Sequence, residues 1–271
     1  MITTLSIIAV VLYGGAELVF AGSLAGGRRA APRAGSTLVA LAVILHGLAL
    51  AAYAARFGEL PLVGLGPSLS TFSFLVALTA LGATSLKETR PLGLVLMPIV
   101  VIALIAALVL GLAPAGEALA FRGIWFGLHV VLSFIGYAGL AVAFAAGLLY
   151  LLQFRELKGK HFGRMFRFFP SLETLDRLGG WGLLIGFPAL TLGLIIGWGW
   201  ASRFNQQFGA DNPKVLWGVL TWVIFVVALA GRQVGSGRDR RGAMLSVVGF
   251  LLVVVAYVVL RLLMPSGRLF L

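Results

Sequence analysis

Pro91-Leu-Gly-Leu-Val-Leu-Met-Pro-Ile-Val-Val-Ile-Ala-Leu-Ile-Ala-Ala-Leu-Val-Leu-Gly-Leu112 carries no charged side chain anywhere along its length. Crossing the hydrocarbon core of a bilayer, roughly 30 Å thick, takes about 20 helical residues, which this stretch supplies. Inside lipid every backbone N–H and C=O must be satisfied within the protein, which leaves helices or a closed barrel. The stretch has no period-2 alternation, so it is read as a helix. Comparable runs lie on both sides of it, giving predicted spans at about 4–24, 36–55, 68–86, 91–112, 123–154, 179–201, 215–231 and 242–263. The expected fold is all-α: a polytopic integral membrane protein of eight transmembrane helices, one helical domain over residues 1–271. The first run lacks a basic lead and a convincing cleavage site, so it is read as a retained span.

The composition agrees. Hydrophobic residues make up 60% of the 271, charged residues 11%, and the mean hydropathy is +1.04. A soluble domain is about half apolar and a quarter charged. Cysteine is absent, which excludes disulfides, thiolate metal sites, thiol redox chemistry and haem attachment through cysteine.

The net charge of +12 is read as topology, with membrane lipid rather than nucleic acid as the partner, because the basic residues cluster in short loops between apolar runs. Fifteen of the 21 Lys and Arg fall in alternate loops: Arg28, Arg29 and Arg33; Lys87 and Arg90; Arg155 to Arg177; and Arg232 to Arg241. The other loops and the tail hold six: Arg56, Arg122, Arg203, Lys214, Arg261 and Arg268. The richer set is expected on the cytoplasmic side, which puts both termini outside, in a multi-pass protein of the bacterial cytoplasmic (inner) membrane. An odd number of spans would scramble this alternation. Within the largest basic loop, residues 163–178 interleave aromatic residues with Arg164 and Arg167 and predict an amphipathic helix at the cytoplasmic headgroups. A calmodulin-like or nucleic-acid partner is the alternative for this segment. Ser171, directly after Pro170, is expected to cap a helix start.

Polar residues inside spans are costly and are functional hypotheses by default. His46 lies ten residues before Arg56, roughly 15 Å below the outer surface. His129 lies seven residues after Arg122, roughly 10 Å below the same surface. Two imidazoles at similar depth on separate helices can ligate one haem iron from opposite faces, and the competing reading for each is a helix–helix hydrogen bond. His161 falls in the basic loop and is read as solvated. Trp198, Trp200, Trp217 and Trp222 edge one outer loop, either as an interfacial belt or as a flat platform for a porphyrin. Arg122, Arg203 and Lys214, on the same side, are candidates to meet its carboxylates. Glu17, one turn after Tyr13, is either a proton or ligand site or a hydrogen-bonded group near the outer boundary.

Pro170-Ser-Leu-Glu-Thr-Leu-Asp-Arg-Leu178, Gly186-Phe-Pro-Ala-Leu-Thr-Leu-Gly193, Trp200-Ala201, Pro213-Lys214 and Trp217 to Trp222 together resemble the cytochrome c assembly family. That family includes the haem-handling CcsA, ResC and CcmC proteins, and length and span count are closest to its eight-span HemX/YpjD type. His129, with Ser133 and Tyr137, resembles the family's histidine before the tryptophan-rich segment, and His46 resembles one on its early span. The resemblance implies a haem-binding or haem-handling protein of cytochrome c biogenesis, with non-covalent haem b on the outer side. Its partners would be haem and other cytochrome c biogenesis proteins, and its role delivery or assembly rather than catalysis. Where the family often has a histidine at the end of span seven, this chain has Leu229-Ala-Gly-Arg232. A haem site would then use His46 and His129, or be five-coordinate. A second reading, of another class, is a HemX-like regulatory or scaffold protein of tetrapyrrole synthesis without its own haem. Transporter signals, such as internal repeats and paired broken helices, are not evident.

Overall fold

The computed structural model describes residues 1–26, 33–114, 123–160, 163–203, 213–233 and 238–263, and among these all regular structure is helical. The elements are α1 (Ile2–Ala25), α2 (Arg33–Phe57), α3 (Leu65–Ser85), a 3₁₀ turn (Arg90–Leu92), α4 (Gly93–Leu110), α5 (Ile124–Lys158), α6 (Arg164–Phe168), α7 (Leu172–Arg203), α8 (Pro213–Gly231) and α9 (Arg238–Leu263). Seven helices are long and apolar enough to cross a membrane, namely α1 to α5, α7 and α9, and α8 adds a shorter apolar stretch, Val215–Gly231. The chain is therefore a polytopic helical membrane protein.

Packing divides the helices into two rings of four. In the first, α1 lies against α2, α2 against α3, α3 against α4, and α4 returns to α1. In the second, α5, α7, α8 and α9 close in the same way, and α5 joins the rings through α3 and α4. Lipid tails are as apolar as leucine, so small residues that admit close backbone approach dominate such contacts. Phe20 of α1 fills a slot between Gly35 of α2 and Gly93 at the start of α4, where a Cβ would lie 2.6 Å and 2.4 Å from its ring. Helices α5 and α7 also meet backbone to backbone: a Cβ on Gly139 would stand 2.5 Å from the Gly182 carbonyl oxygen, and one on Gly182 2.6 Å from that of Gly139.

Among the described residues of the basic loops, Arg90, Arg164, Arg232 and Arg240 gather at one end of the bundle. There Arg164 Nη1 donates to Ala25 O at 2.9 Å, Arg90 Nε to Thr84 O at 3.2 Å, and Ser36 Oγ to Thr84 O at 2.6 Å. Arg240 sits over the Phe154 ring, 5.2 Å from its centroid, and Arg232 pairs with Asp176. The other end holds the α2–α3 turn against the close of α4, with Gly66 beside the Gly111 carbonyl, and Leu62 4.0 Å from the Cβ position of Gly127 at the start of α5.

The segment after α5 departs from the expected amphipathic cytoplasmic helix. Residues 163–178 do not form one interfacial helix: α6 is five residues long, and Leu172 to Leu178 belong to α7. Pro170 is the physical cause, since the residue before a proline is driven out of the α region, and Phe169 is extended at φ −77° and ψ 152°. Phe168 and Phe169, only 2% and 7% exposed, pack into the apolar core shared by α1, α4 and α5 rather than facing headgroups. Ser171 is the N-cap as expected: the Thr174 amide donates to Ser171 Oγ at 3.2 Å. Ser171→Ala is expected to destabilise the protein by about 1 kcal/mol, read as a lower thermal midpoint in detergent. An unchanged midpoint would show that the cap contributes nothing.

Candidate functional site

His129 sits one turn into α5, where α7 is about to end. Gly193, Gly197 and Trp200 lie on one face of α7, spaced four and three residues apart. The His129 ring lies on this face: a Cβ on Gly197 would fall 2.4 Å from Nδ1, so only glycine admits the ring in this position. His129 Nδ1 lies 2.7 Å from Gly193 O. A carbonyl only accepts, so Nδ1 carries the proton, and in the neutral imidazole Nε2 is left with the lone pair. A backbone carbonyl that fixes the tautomer in this way is the usual outer-shell partner of a metal-binding histidine. Phe126 stands 6.5 Å from the His129 ring centroid and 5.3 Å from that of Trp200, forming an aromatic wall beside it.

His46 has different surroundings. It is fully buried in the first ring, with Nε2 3.0 Å from Ser70 Oγ and Nδ1 3.5 Å from Tyr13 Oη. The Tyr13 and Phe74 rings meet it edge-on at 6.1 Å and 5.4 Å. Both nitrogens are thus occupied by α1 and α3. The structure does not bring His46 and His129 together. Between them stands α3, whose Ser70 and Phe74 face His46 while Phe72 meets Phe134 of α5 at 6.0 Å.

The four tryptophans expected to form one platform also divide. Trp217 Nε1 donates to Tyr137 Oη at 2.7 Å, and Trp222 Nε1 to Thr191 Oγ1 at 3.0 Å. These two indoles tie α8 to α5 and α7 and belong to the apolar core of the second ring. Trp200 packs on Phe126, whereas Trp198 is 61% exposed, as Trp125 on α5 is at 60%. Arg122 and His161 lie outside the described residues, as do the side chains of Arg203 and Lys214. Glu17 is fifteen residues into α1, about 22 Å along it.

Reading residue types misses Gly193 and Gly197, because neither offers a side chain. Their signal is the spacing of Gly179, Gly182, Gly186, Gly193 and Gly197, which keeps one face of α7 bare along its length.

Known proteins share features with this chain over most of its length. The sequence model described as cytochrome C assembly protein matches residues 37–266. The cytochrome c biogenesis protein CcsA of Guillardia theta is 31% identical over 153 residues, 51% of this chain and 51% of the relative. CcsA of Chlamydomonas reinhardtii is 30% identical over 138 residues, 51% of this chain and 38% of the relative. The chain thus spans about half or less of the length of these two relatives. Against CcsA of Microcystis aeruginosa the identity is 28% over 283 aligned positions, 86% of this chain and 85% of the relative.

Proposed function

Because this chain belongs to the cytochrome c assembly protein family, we propose that it handles haem in cytochrome c biogenesis, with His129 as its one protein ligand to a non-covalent haem b. The observation that carries this reading is the fixed His129 tautomer: Gly193 O holds the Nδ1 proton, and Nε2 remains as the coordinating atom. His46, enclosed and bonded at both nitrogens, does not fit a ligand role and is assigned to the interior of the first ring. Bound haem would supply an iron centre whose redox state the protein stabilises, orients and shields. Phe126 and Trp200 keep water from one side of His129, and exposed Trp198 and Trp125 offer apolar faces at the same end. We assign Arg122, Arg203 and Lys214 to the haem carboxylates, since in the sequence they adjoin the start of α5, the end of α7 and the start of α8.

In this reading α8, 19 residues and about 28 Å long, is the eighth span, and both termini lie outside a bacterial cytoplasmic membrane. The gathering of Arg90, Arg164, Arg232 and Arg240 at the opposite end supports that orientation. Haem and other cytochrome c biogenesis proteins are the proposed partners.

Haemin titrated into the purified detergent-solubilised protein is expected to give a Soret band that moves on dithionite reduction. His129→Ala should abolish it, and His46→Ala should retain it in whatever fraction folds. A wild-type spectrum in His129→Ala would refute the ligand assignment.

A further inference from the structure

Haem ligation at His129 leaves unused a polar corner of the first ring. Where the α2–α3 turn meets the close of α4, at the end opposite Arg90 and Arg164, lies a small cavity of about 10 Å³. Its wall carries Ser6 of α1, Tyr53 of α2 and Ser70 of α3 among apolar residues such as Ala49, Pro67 and Leu112. All three hydroxyl-bearing residues are buried, Tyr53 being 1% exposed. Yet Tyr53 Oη has no hydrogen-bond partner among the described residues. Glu59, just beyond α2, acts on this hydroxyl through its charge without bonding it. The Tyr53 ring packs against Phe57, with centroids 4.8 Å apart.

We propose that this cavity binds one ordered water, which bridges α1, α2 and α3 through Ser6, Tyr53 and Ser70. Leaving a buried hydroxyl unpaired is expensive. A cavity of this size is enough for one water, and genuinely empty cavities are lined by apolar groups alone. A buried water typically makes about three hydrogen bonds, and the wall supplies three partners. Tyr53 Oη has its proton to give. Ser6 Oγ donates its proton to Ile2 O at 3.1 Å, which leaves its lone pairs to accept. Ser70 Oγ is 3.0 Å from His46 Nε2, and a hydroxyl that gives or receives that bond still has a lone pair for the water. The water therefore accepts from Tyr53 and donates to Ser6 and Ser70.

Interhelical hydrogen bonds hold helices together where lipid tails offer no hydrophobic drive, and this water supplies them to three helices at once. It also stands next to Ser70, the hydroxyl against which the His46 ring is set. Tyr53 is thus a positioning residue: through the water it fixes Ser70 Oγ, and through Ser70 the buried imidazole of His46.

Solid-state NMR of the isotope-labelled intact protein in lipid bilayers tests this without any haem. Magnetisation selected on water and passed to carbon should reach Tyr53 and Ser70. Ser73, buried on the same helix with Oγ bonded to Val100 O at 2.9 Å, is the dry reference. The Ser70 signal should stand well above that of Ser73, and Tyr53→Phe should bring it down to the Ser73 level. The same substitution should lower the thermal midpoint by about 2–4 °C, as expected for one lost hydrogen bond, whereas removing a dry, unpaired hydroxyl would raise it. The wild-type comparison of Ser70 with Ser73 needs no variant, so it decides even if Tyr53→Phe does not fold. A Ser70 signal no stronger than that of Ser73 would overturn the proposal. So would a Tyr53→Phe protein whose Ser70 signal is undiminished, or whose midpoint is at or above that of the wild type.

Discussion

Gly139→Val is expected to leave no folded protein at temperatures where the wild type is intact. The obstruction is backbone on both sides: a Cβ at Gly139 would stand 2.5 Å from Gly182 O and 2.9 Å from Gly186 Cα. No rotamer relieves such a contact, so α5 and α7 must move apart along the longest helix pair in the molecule. Overpacking costs about 1–3 kcal/mol where side chains can adjust, and more where they cannot. Separation also forfeits dispersion along the whole seam, where a gap of under ~1 Å loses a quarter to a half of each contact. The same seam carries His129 onto Gly193, so the candidate site should be lost with it. Gly14→Ala and Gly22→Ala are the controls, since nothing lies within 4 Å of either Cβ position. They should be neutral or stabilise by roughly 0.5–1 kcal/mol. Thermal survival in detergent, monitored by size-exclusion chromatography, distinguishes these outcomes. A Gly139→Val protein that melts with the wild type would mean that the two helices do not pack as described.

Asp176→Ala should have the second-largest effect. Arg232, at the close of α8, donates through Nη1 both to the Asp176 carboxylate and to Asp176 O, the latter at 3.0 Å. Its side chain is 12% exposed and lies against Gly179 of α7 and Gly242 of α9, where a Cβ would come within 2.5 Å and 2.4 Å of it. One arginine side chain at the close of α8 therefore hydrogen-bonds α7 and packs against α9. Removing the carboxylate strands a largely buried cation, a loss of about 3 kcal/mol or more. The midpoint should fall on the order of 10 °C. Replacing both partners, as Asp176→Ala with Arg232→Met, should recover part of that loss because no charge is then left unpaired. If the double variant is no more stable than Asp176→Ala alone, the pair is not what holds these helices.

These two cases show where the sequence is legible and where it is not. By position Arg232 belongs with Arg238, Arg240 and Arg241 in one basic loop, and a loop count has no means of telling a solvated arginine from one drawn inward. Glycine at 139 and 182 is visible as a residue type, but which glycine meets which depends on how two helices cross. Phe168 and Phe169 fit the pattern of a headgroup face. The pattern is real, but Pro170 breaks the helix that would display it.

The sequence by itself determined that this is a helical membrane protein, and it located nearly every helix to within a few residues. Apolar length and the need to satisfy the backbone in lipid are local, one-dimensional constraints. It also singled out His46 and His129 as the two intramembrane histidines, because a polar side chain in an apolar run is conspicuous. Tertiary structure alone decided that they are not partners. Depth along the membrane normal is nearly encoded by counting residues, but lateral position is set by which helices neighbour which. Here α3 stands between them, binding His46 through Ser70 while the bare face of α7 receives His129.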